Sequence, residues 1–257
     1  MAIALALIAV CTALEQIIPR VRKRTDRSKE FGRILRNLSF GVIHRLIVAP
    51  FILAPLVLLA TPLPSLQSKL GVVSFLVSFL LLDFTNYFTH WLGHRVPFFW
   101  RFHSVHHLDN HLDVTTGLRV HAFEKILLLP VKLGVIVAFG IPLRHVAWVE
   151  AITFCNGILH HSNVRLPRAL EAALSWVITV PAFHGVHHHS ELPDTDSNYG
   201  FVLTVWDRLF GTLSRREPDR GVVAGVNGRV LERVPESFNE LFFQPFVGPL
   251  AGTTVEE

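Results

Sequence analysis

Four groups of histidines carry the chemistry this sequence could do: His90-x-x-x-His94, His103-x-x-His106-His107, His160-His161 and His184-x-x-His187-His188. The chain holds fifteen histidines against two tyrosines and one methionine, and most fall between His90 and His189. On a helix, positions i, i+3 and i+4 share one face, so each His-x-x-His-His box is expected to turn two or three imidazoles toward one spot. One metal ion takes roughly four to six ligands. Nine or ten convergent imidazoles therefore supply about two ions, with positions left for water or O₂. So many histidines could not all be protonated side by side without strong repulsion, and neutral rings with cations between them remove that problem. Soluble di-iron bundles use Glu with Glu-x-x-His pairs, and no such carboxylate set stands at these spacings. The nearly neutral shell leaves a dication pair its positive charge, which favours anionic oxygen ligands.

The other histidines read differently. His44, in an apolar helix beside Arg45, is expected to be a core or interfacial residue, and His145, in a hairpin turn, to be solvated. His111 and His189 are intermediate cases. A metal-bound imidazole needs its second ring nitrogen held by a carboxylate or carbonyl, which makes Asp83, Glu124, Asp194 and Asp196 candidates for that support. Ordinary capping or turn formation is the plain alternative for Asp194 and Asp196. Asp83 stands in an apolar helix, where an unpaired carboxylate is costly, so a functional role is favoured there. Asn198-Tyr199-Gly200 is expected to shape a loop over the site.

The elements that must position these rings belong to a membrane. Of the 257 residues half are apolar and only 17% charged, and the mean hydropathy is +0.41, too apolar for an ordinary soluble domain. The two cysteines, Cys11 and Cys155, sit in apolar runs, which leaves no disulfide framework and no cysteine-rich zinc site. A net charge of +4 with a pI near 9.4 could suit nucleic acid, but the cations gather beside apolar segments, so no nucleic-acid partner is expected.

Residues 1–18 are almost wholly apolar and lack a basic leader, which suggests a retained membrane helix rather than a cleaved signal. The stretch after them carries Arg20, Arg22, Lys23, Arg24, Arg27, Lys29, Arg33 and Arg36, and the positive-inside rule places it in the cytoplasm. Further spans are expected at about 38–60, with Pro50 and Pro55 inside, and at about 70–89; the loop 61–69 lies between them on the outer side. Two shorter apolar stretches within 126–160 read as a hairpin that returns His160 to the same side. From about residue 165 the chain is amphipathic, then a polar tail at 214–257. The expected architecture is a single all-α membrane domain: an integral membrane helical bundle of four or five spans under a cytoplasmic histidine-rich helical cap.

The stretches DFTNYFTHWLGHRVPFFWRFHSVHH, TTGLRVHAFE, HHSNVRLP, FHGVHHH and DSNYGFVLTVWDRLFGT, within residues 83–212, resemble in their order the fatty acid hydroxylase and sterol desaturase superfamily of membrane di-iron oxidases. About half the chain is covered. The resemblance implies two irons, O₂ as co-substrate, a lipid substrate such as a sterol or fatty acyl chain, and electrons from cytochrome b5, ferredoxin or a reductase. It implies as ligands His90, His94, His103, His106, His107, His161, His184, His187 and His188. His121, in an Arg-x-His-x-x-Glu pattern with Arg119 and Glu124, would be a further ligand or stand close behind one. The chain departs from the pattern at Trp91, where many members carry arginine. A third His-x-x-x-His is also missing, so the ligand there is His161, in register with Ser162-Asn163, or else His160. Catalytic or supporting roles are expected for Asp83, Arg119, Glu124, Asn198 and Tyr199, with hydroxylation favoured over desaturation. A membrane zinc hydrolase is the alternative, without the His-Glu-x-x-His it would normally show.

Overall fold

The structure, a computed structural model, describes residues 2–21, 26–48, 50, 71–109, 111–191, 194–214, 225–226, 229–231, 235–248 and 252–254. Its first helix, α1 (Ala2–Ile17), is mostly apolar, and Glu15 in its last turn accepts from the Val114 and Asn163 N–H groups at 2.9 and 2.8 Å. α2 (Arg27–Ile43) starts at Asp26, whose Oδ1 accepts the Ser28 N–H at 2.9 Å and so satisfies one of the helix's unpaired donors. It runs on into a π-helical turn, His44–Val48. The helix thus begins inside the basic stretch, well before the span expected at 38–60. Residues 49 and 51–60 of that span, and the loop expected at 61–69, lie outside the described residues.

The central element is α3 (Gly71–Arg95), which packs against the next three helices. It is longer than the expected 70–89 and carries His90 and His94 within its last turns. Among the described residues it is the one helix long and apolar enough to cross a bilayer. Val96-Pro97 breaks it, because the residue before proline avoids the helical region and Pro97 itself suits a first turn. α4 (Pro97–His107) starts there. After a short 3₁₀ turn at Thr116–Leu118, α5 (Ala122–Ala138) and α6 (Leu143–His161) form the expected hairpin, turning at residues 139–142. Leu82 of α3 packs with Ile136, Ile141, Val146 and Val149 of the hairpin. His145 is 7% exposed in this region, its Nδ1 3.0 Å from Ser78 Oγ; the turn packs on α3, contrary to the solvated position expected.

Three short helices follow: α7 (Arg168–Leu174), α8 (Pro181–His187) and α9 (Val205–Leu209). The tail is less polar than its composition suggests. It contains α10 (Phe238–Val247), which opens with a capping box of Ser237 and Glu240. Leu241 of α10 is fully buried with Phe40, Val105 and Leu108. Three short strands, β1 (Gly225–Val226), β2 (Arg229–Leu231) and β3 (Gly252–Thr254), pair as a small antiparallel sheet. The histidine-bearing part is helical, as expected.

A buried polar knot ties α2 to the end of α4. Arg33 donates to both oxygens of Asp109, at 3.0 and 2.8 Å, and also pairs with Asp113. Asn37 bridges Asp109 and Arg119, donating to the first at 2.8 Å and accepting from the second at 2.6 Å. Burial opposes the Asp109 charge, but Arg119 and Arg33 outweigh it and hold this carboxyl well below the usual carboxylate range. On the far side of α6, Arg20 pairs with Glu171 of α7. Arg20 and Arg33 of the basic stretch therefore lie at the histidine end of the described structure.

Candidate metal centre

Nine histidines converge in two adjoining groups. His90, His94, His103, His107 and His187 form the first and His106, His161, His184 and His188 the second; in each, one nitrogen per ring lies within 4.8 Å of all the others. The boxes do not each aim at one spot, as the spacing suggested. His103 and His107 face the first group while His106 faces the second; His184 and His188 face the second while His187 faces the first. Helix geometry explains the division. At about 100° per residue, i and i+4 are about 40° apart and i+3 points away to the other side, so each box straddles the line between the groups. α3 supplies His90 and His94, one turn apart, to the first; the end of α6 supplies His161 to the second.

The second nitrogen of four of the nine rings is hydrogen-bonded to a backbone carbonyl. His90 Nδ1–H donates to the Tyr199 carbonyl at 2.8 Å, His187 Nδ1–H to Ser197 at 2.6 Å, His106 Nδ1–H to Arg119 at 3.2 Å and His161 Nδ1–H to Gly157 at 2.7 Å. Glu124 Oε1 stands 3.2 Å from His103 Nδ1 and Asp196 Oδ1 stands 3.5 Å from His94 Nδ1; both are ion-pair contacts that fall short of hydrogen-bond geometry. A ring that donates from Nδ1 carries a lone pair on Nε2. Yet His161 Nε2 lies 3.0 Å from both His106 Nε2 and His184 Nε2, and His188 Nε2 lies 3.1 Å from His184 Nε2. For His106 and His161 the facing nitrogens have no proton left to share. A cation among them resolves the repulsion, and bonds of about 2.1 Å to one ion put neighbouring ligand nitrogens about 3 Å apart. The residues fit a pair of metal ions.

The electrostatics agree. Burial first, then neighbouring imidazoles, hold His106, His107, His184 and His188 well below the ordinary histidine value. Burial pushes His187 down to about 3, against its bond to Ser197. These rings are neutral near pH 7, the form that ligates. Burial works to raise the Glu124 carboxyl, but Lys125 and His103 dominate and hold it well below the carboxylate range. An anion therefore stands behind the first group.

The remaining candidates separate by what they touch. Asp83 reaches no imidazole: Oδ1 accepts from Val202 N–H, and Oδ2 from Leu203 N–H and Trp206 Nε1–H, at 2.9–3.1 Å. It fastens the loop that supplies the carbonyls. Asn198 adopts φ 54°, donates to the Phe183 carbonyl at 3.0 Å and accepts from Ser214 N–H at 2.8 Å. Tyr199 is fully buried and acts on His90 through its carbonyl. Arg119 does the same for His106. Asp194 stands 4.0 Å from His189 and apart from both groups. His44 and His111 also lie outside the two groups.

His121 is placed outside both groups. Its Nδ1 caps α5, accepting from Phe123 N–H at 3.3 Å, and its Nε2–H donates to the Phe242 carbonyl of α10 at 3.0 Å. Both nitrogens are taken by the protein. His161 rather than His160 joins the second group, although the His160 ring packs 4.2 Å from His184 and its buried Nε2 has no partner.

Two supports went unread in the sequence. Asp207 accepts from Tyr199 N–H at 2.7 Å and Gly200 N–H at 2.8 Å, and burial pushes it up to about 6. Asn156 donates to the carbonyl of Phe201 at 2.7 Å. Gly200 is required where it stands, since a Cβ there would come 2.7 Å from the Leu203 carbonyl oxygen and 2.8 Å from Asp207 Oδ2.

A buried, histidine-only double cluster set on helices at the end of an apolar span defines the class of site. The family model for fatty acid hydroxylases matches residues 75–212, and the chain belongs to that family. It is 31% identical to an ornithine lipid hydroxylase of Rhizobium tropici, over 65% of this chain and 48% of that protein. It is 31% identical to an alkylglycerol monooxygenase of Caenorhabditis elegans, over 63% of this chain and 30% of the relative. It is 29% identical to methylsterol monooxygenase 1-2 of Arabidopsis thaliana, over 59% and 49% respectively. The chain thus spans about half the length, or less, of these relatives. No solved structure gives a significant match.

Proposed function

We propose that this chain is an integral membrane oxidoreductase with two irons that uses O₂ to hydroxylate, or desaturate, a lipid at a C–H bond. The observation that carries the reading is the convergence of nine buried imidazoles in two adjoining groups. Imidazole suits iron, zinc, copper and nickel alike; relatives named as lipid hydroxylases and monooxygenases favour the redox-active choice. Iron in these groups supplies O₂ activation. Hydroxylation takes RH, O₂, two electrons and two protons to ROH and water; desaturation takes the same inputs to an alkene and two waters. The electrons come from a separate donor such as cytochrome b5, ferredoxin or a reductase.

The chain's own residues hold and shield the centre. Carbonyls of Gly157, Ser197, Tyr199 and Arg119 fix which ring nitrogen faces inward. Glu124 and Asp196 lend negative charge to the first group, and Asp83 and Asp207 pin the loop that carries the Ser197 and Tyr199 carbonyls. Ion pairs of Arg20 with Glu171 and of Arg33 with Asp109 put the basic stretch beside the centre, which supports a cytoplasmic site under the positive-inside rule.

The test is metal analysis of the purified chain together with turnover of membrane lipid extracts under ¹⁸O₂. Two irons per chain and a lipid product carrying one ¹⁸O, or lacking two hydrogens, are expected. Zinc in both groups with activity that persists without O₂ would replace this reading with a hydrolase.

A further inference from the structure

The short helices after residue 165 look, by composition, like part of a water-exposed cap, but their position on α3 says otherwise. α3 rises about 1.5 Å per residue, so the roughly 30 Å of a bilayer's hydrocarbon takes about 20 residues of it. Counted from Gly71, where α3 begins, toward Arg95 at its other end, the boundary on the histidine side falls at about His90 or beyond. Asp83 lies inside that boundary for every placement. It precedes His90 by seven residues, about 10 Å along the axis. Asp83 is where the chain 202–206 is fastened, and Phe84 stacks against Trp206 and Phe210 of the α9 region at 5.1 and 5.6 Å.

What this region shows outward is apolar. Trp176 is 69% exposed, Leu209 67% and Phe210 57%, with Val177 and Val205 beside them. The face continues the exposed apolar side of α3 through Leu80 and Phe88. Several of its polar groups are bonded within the protein. Arg208 lies over the Trp176 ring at 4.8 Å and donates to the carbonyls of Thr204 and Ser175 at 3.0 and 2.9 Å. In the irregular backbone from Tyr199 to Thr204, the N–H groups of Tyr199, Gly200, Val202, Leu203 and Thr204 go to Asp207, Asp83 and the Val177 carbonyl. Non-helical chain at membrane depth requires this internal accounting, and an arginine there pairs with backbone carbonyls.

We propose that Trp176, Val177 and α9 form a wedge seated among the acyl chains of the leaflet on the histidine side of the bilayer. The inference rests on the membrane reading above, and the experiment separates the two. In the full chain with Cys11 and Cys155 changed to serine, single cysteines are introduced as Leu209→Cys, Trp176→Cys, Val77→Cys on the apolar face of α3, and Lys29→Cys on the exposed face of α2. Labelling by a charged maleimide is timed in vesicles, with total thiol measured after denaturation. The first three are expected to react at least ten-fold more slowly than Lys29→Cys. If Leu209→Cys and Trp176→Cys react as fast as Lys29→Cys while Val77→Cys stays protected, the wedge is wrong and the membrane reading stands. If Val77→Cys is also fast, the membrane reading falls as well. Protection of Leu209→Cys and Trp176→Cys that fades as the protein is diluted in lipid would assign the face to a second copy of the chain and overturn the wedge.

Discussion

The two histidine groups share α4 and α8 yet are built differently. The first has five rings and two carboxylates, Glu124 and Asp196, against its outer nitrogens. The second has four rings; two lean on carbonyls, and His184 Nδ1 and His188 Nδ1 have no partner among the described residues. A carboxylate behind an imidazole strengthens it as a donor and adds negative charge near the cation. The contrast implies a tighter, more anionic first group and a more weakly held second one, whose four rings meet only the low end of an ion's usual ligand count.

The strongest way to break the comparison is to remove one ring from each side. His187→Ala and His106→Ala should each lower metal content and cut lipid oxidation by at least about 100-fold, beyond the 10- to 100-fold typical of an outer partner. Full metal and activity in both variants would refute the site. Chelation comes next: a titration monitored by metal content should pause at one ion per chain, with the second group emptied first. Simultaneous loss would show the groups to be equivalent.

Replacing the outer carboxylates sharpens the contrast. Glu124→Gln and Asp196→Asn should weaken metal binding about 10- to 100-fold at the five-ring group only, read as a merging of the two chelation steps. Acid should act on the metal-free protein through the rings themselves. Their folded pKa values lie below the ordinary 6.5, with His187 at about 3, so the unfolded chain binds more protons as pH falls. The stability they contribute is complete above about pH 6.5 and is lost progressively between there and about pH 3. A thermal midpoint that does not change over that window would contradict the neutral, buried rings. The smallest effect belongs to His121→Asn, which keeps a cap for α5 but loses the tie to Phe242. Both metals should remain, with about 1 kcal/mol of stability lost by denaturant titration; loss of an ion would restore His121 as a ligand.

Much of this could be read from residue order. Local spacing marked eight rings as candidate ligands, because His-x-x-x-His and His-x-x-His-His leave neighbouring faces on any helix; His161 came from the family resemblance, and the apolar run before His90 suggested the end of a span. Spacing could not show that each box would be divided. That depends on how α4 and α8 face each other across the centre, so that the i+3 ring of one meets the i and i+4 rings of the other. Nor could it identify the carbonyls of Ser197, Tyr199, Arg119 and Gly157 as the groups that orient the rings, since every residue has a carbonyl and only packing selects four of them.

His121 marks the boundary between the two kinds of knowledge. In sequence it resembles a ligand; in space, α10 supplies a carbonyl to one of its nitrogens and the first turn of α5 an N–H to the other. Asp83 was expected to support an imidazole, but its partners are two backbone N–H groups and the Trp206 indole, all more than a hundred residues away. The sequence alone determined the donor chemistry, the neutral character of the shell and its place at a membrane-length helix, because these follow from side-chain type and helical period. Tertiary structure decided which rings share an ion, what holds each ring and where the loop over them sits, because those depend on distances between segments that no local pattern encodes.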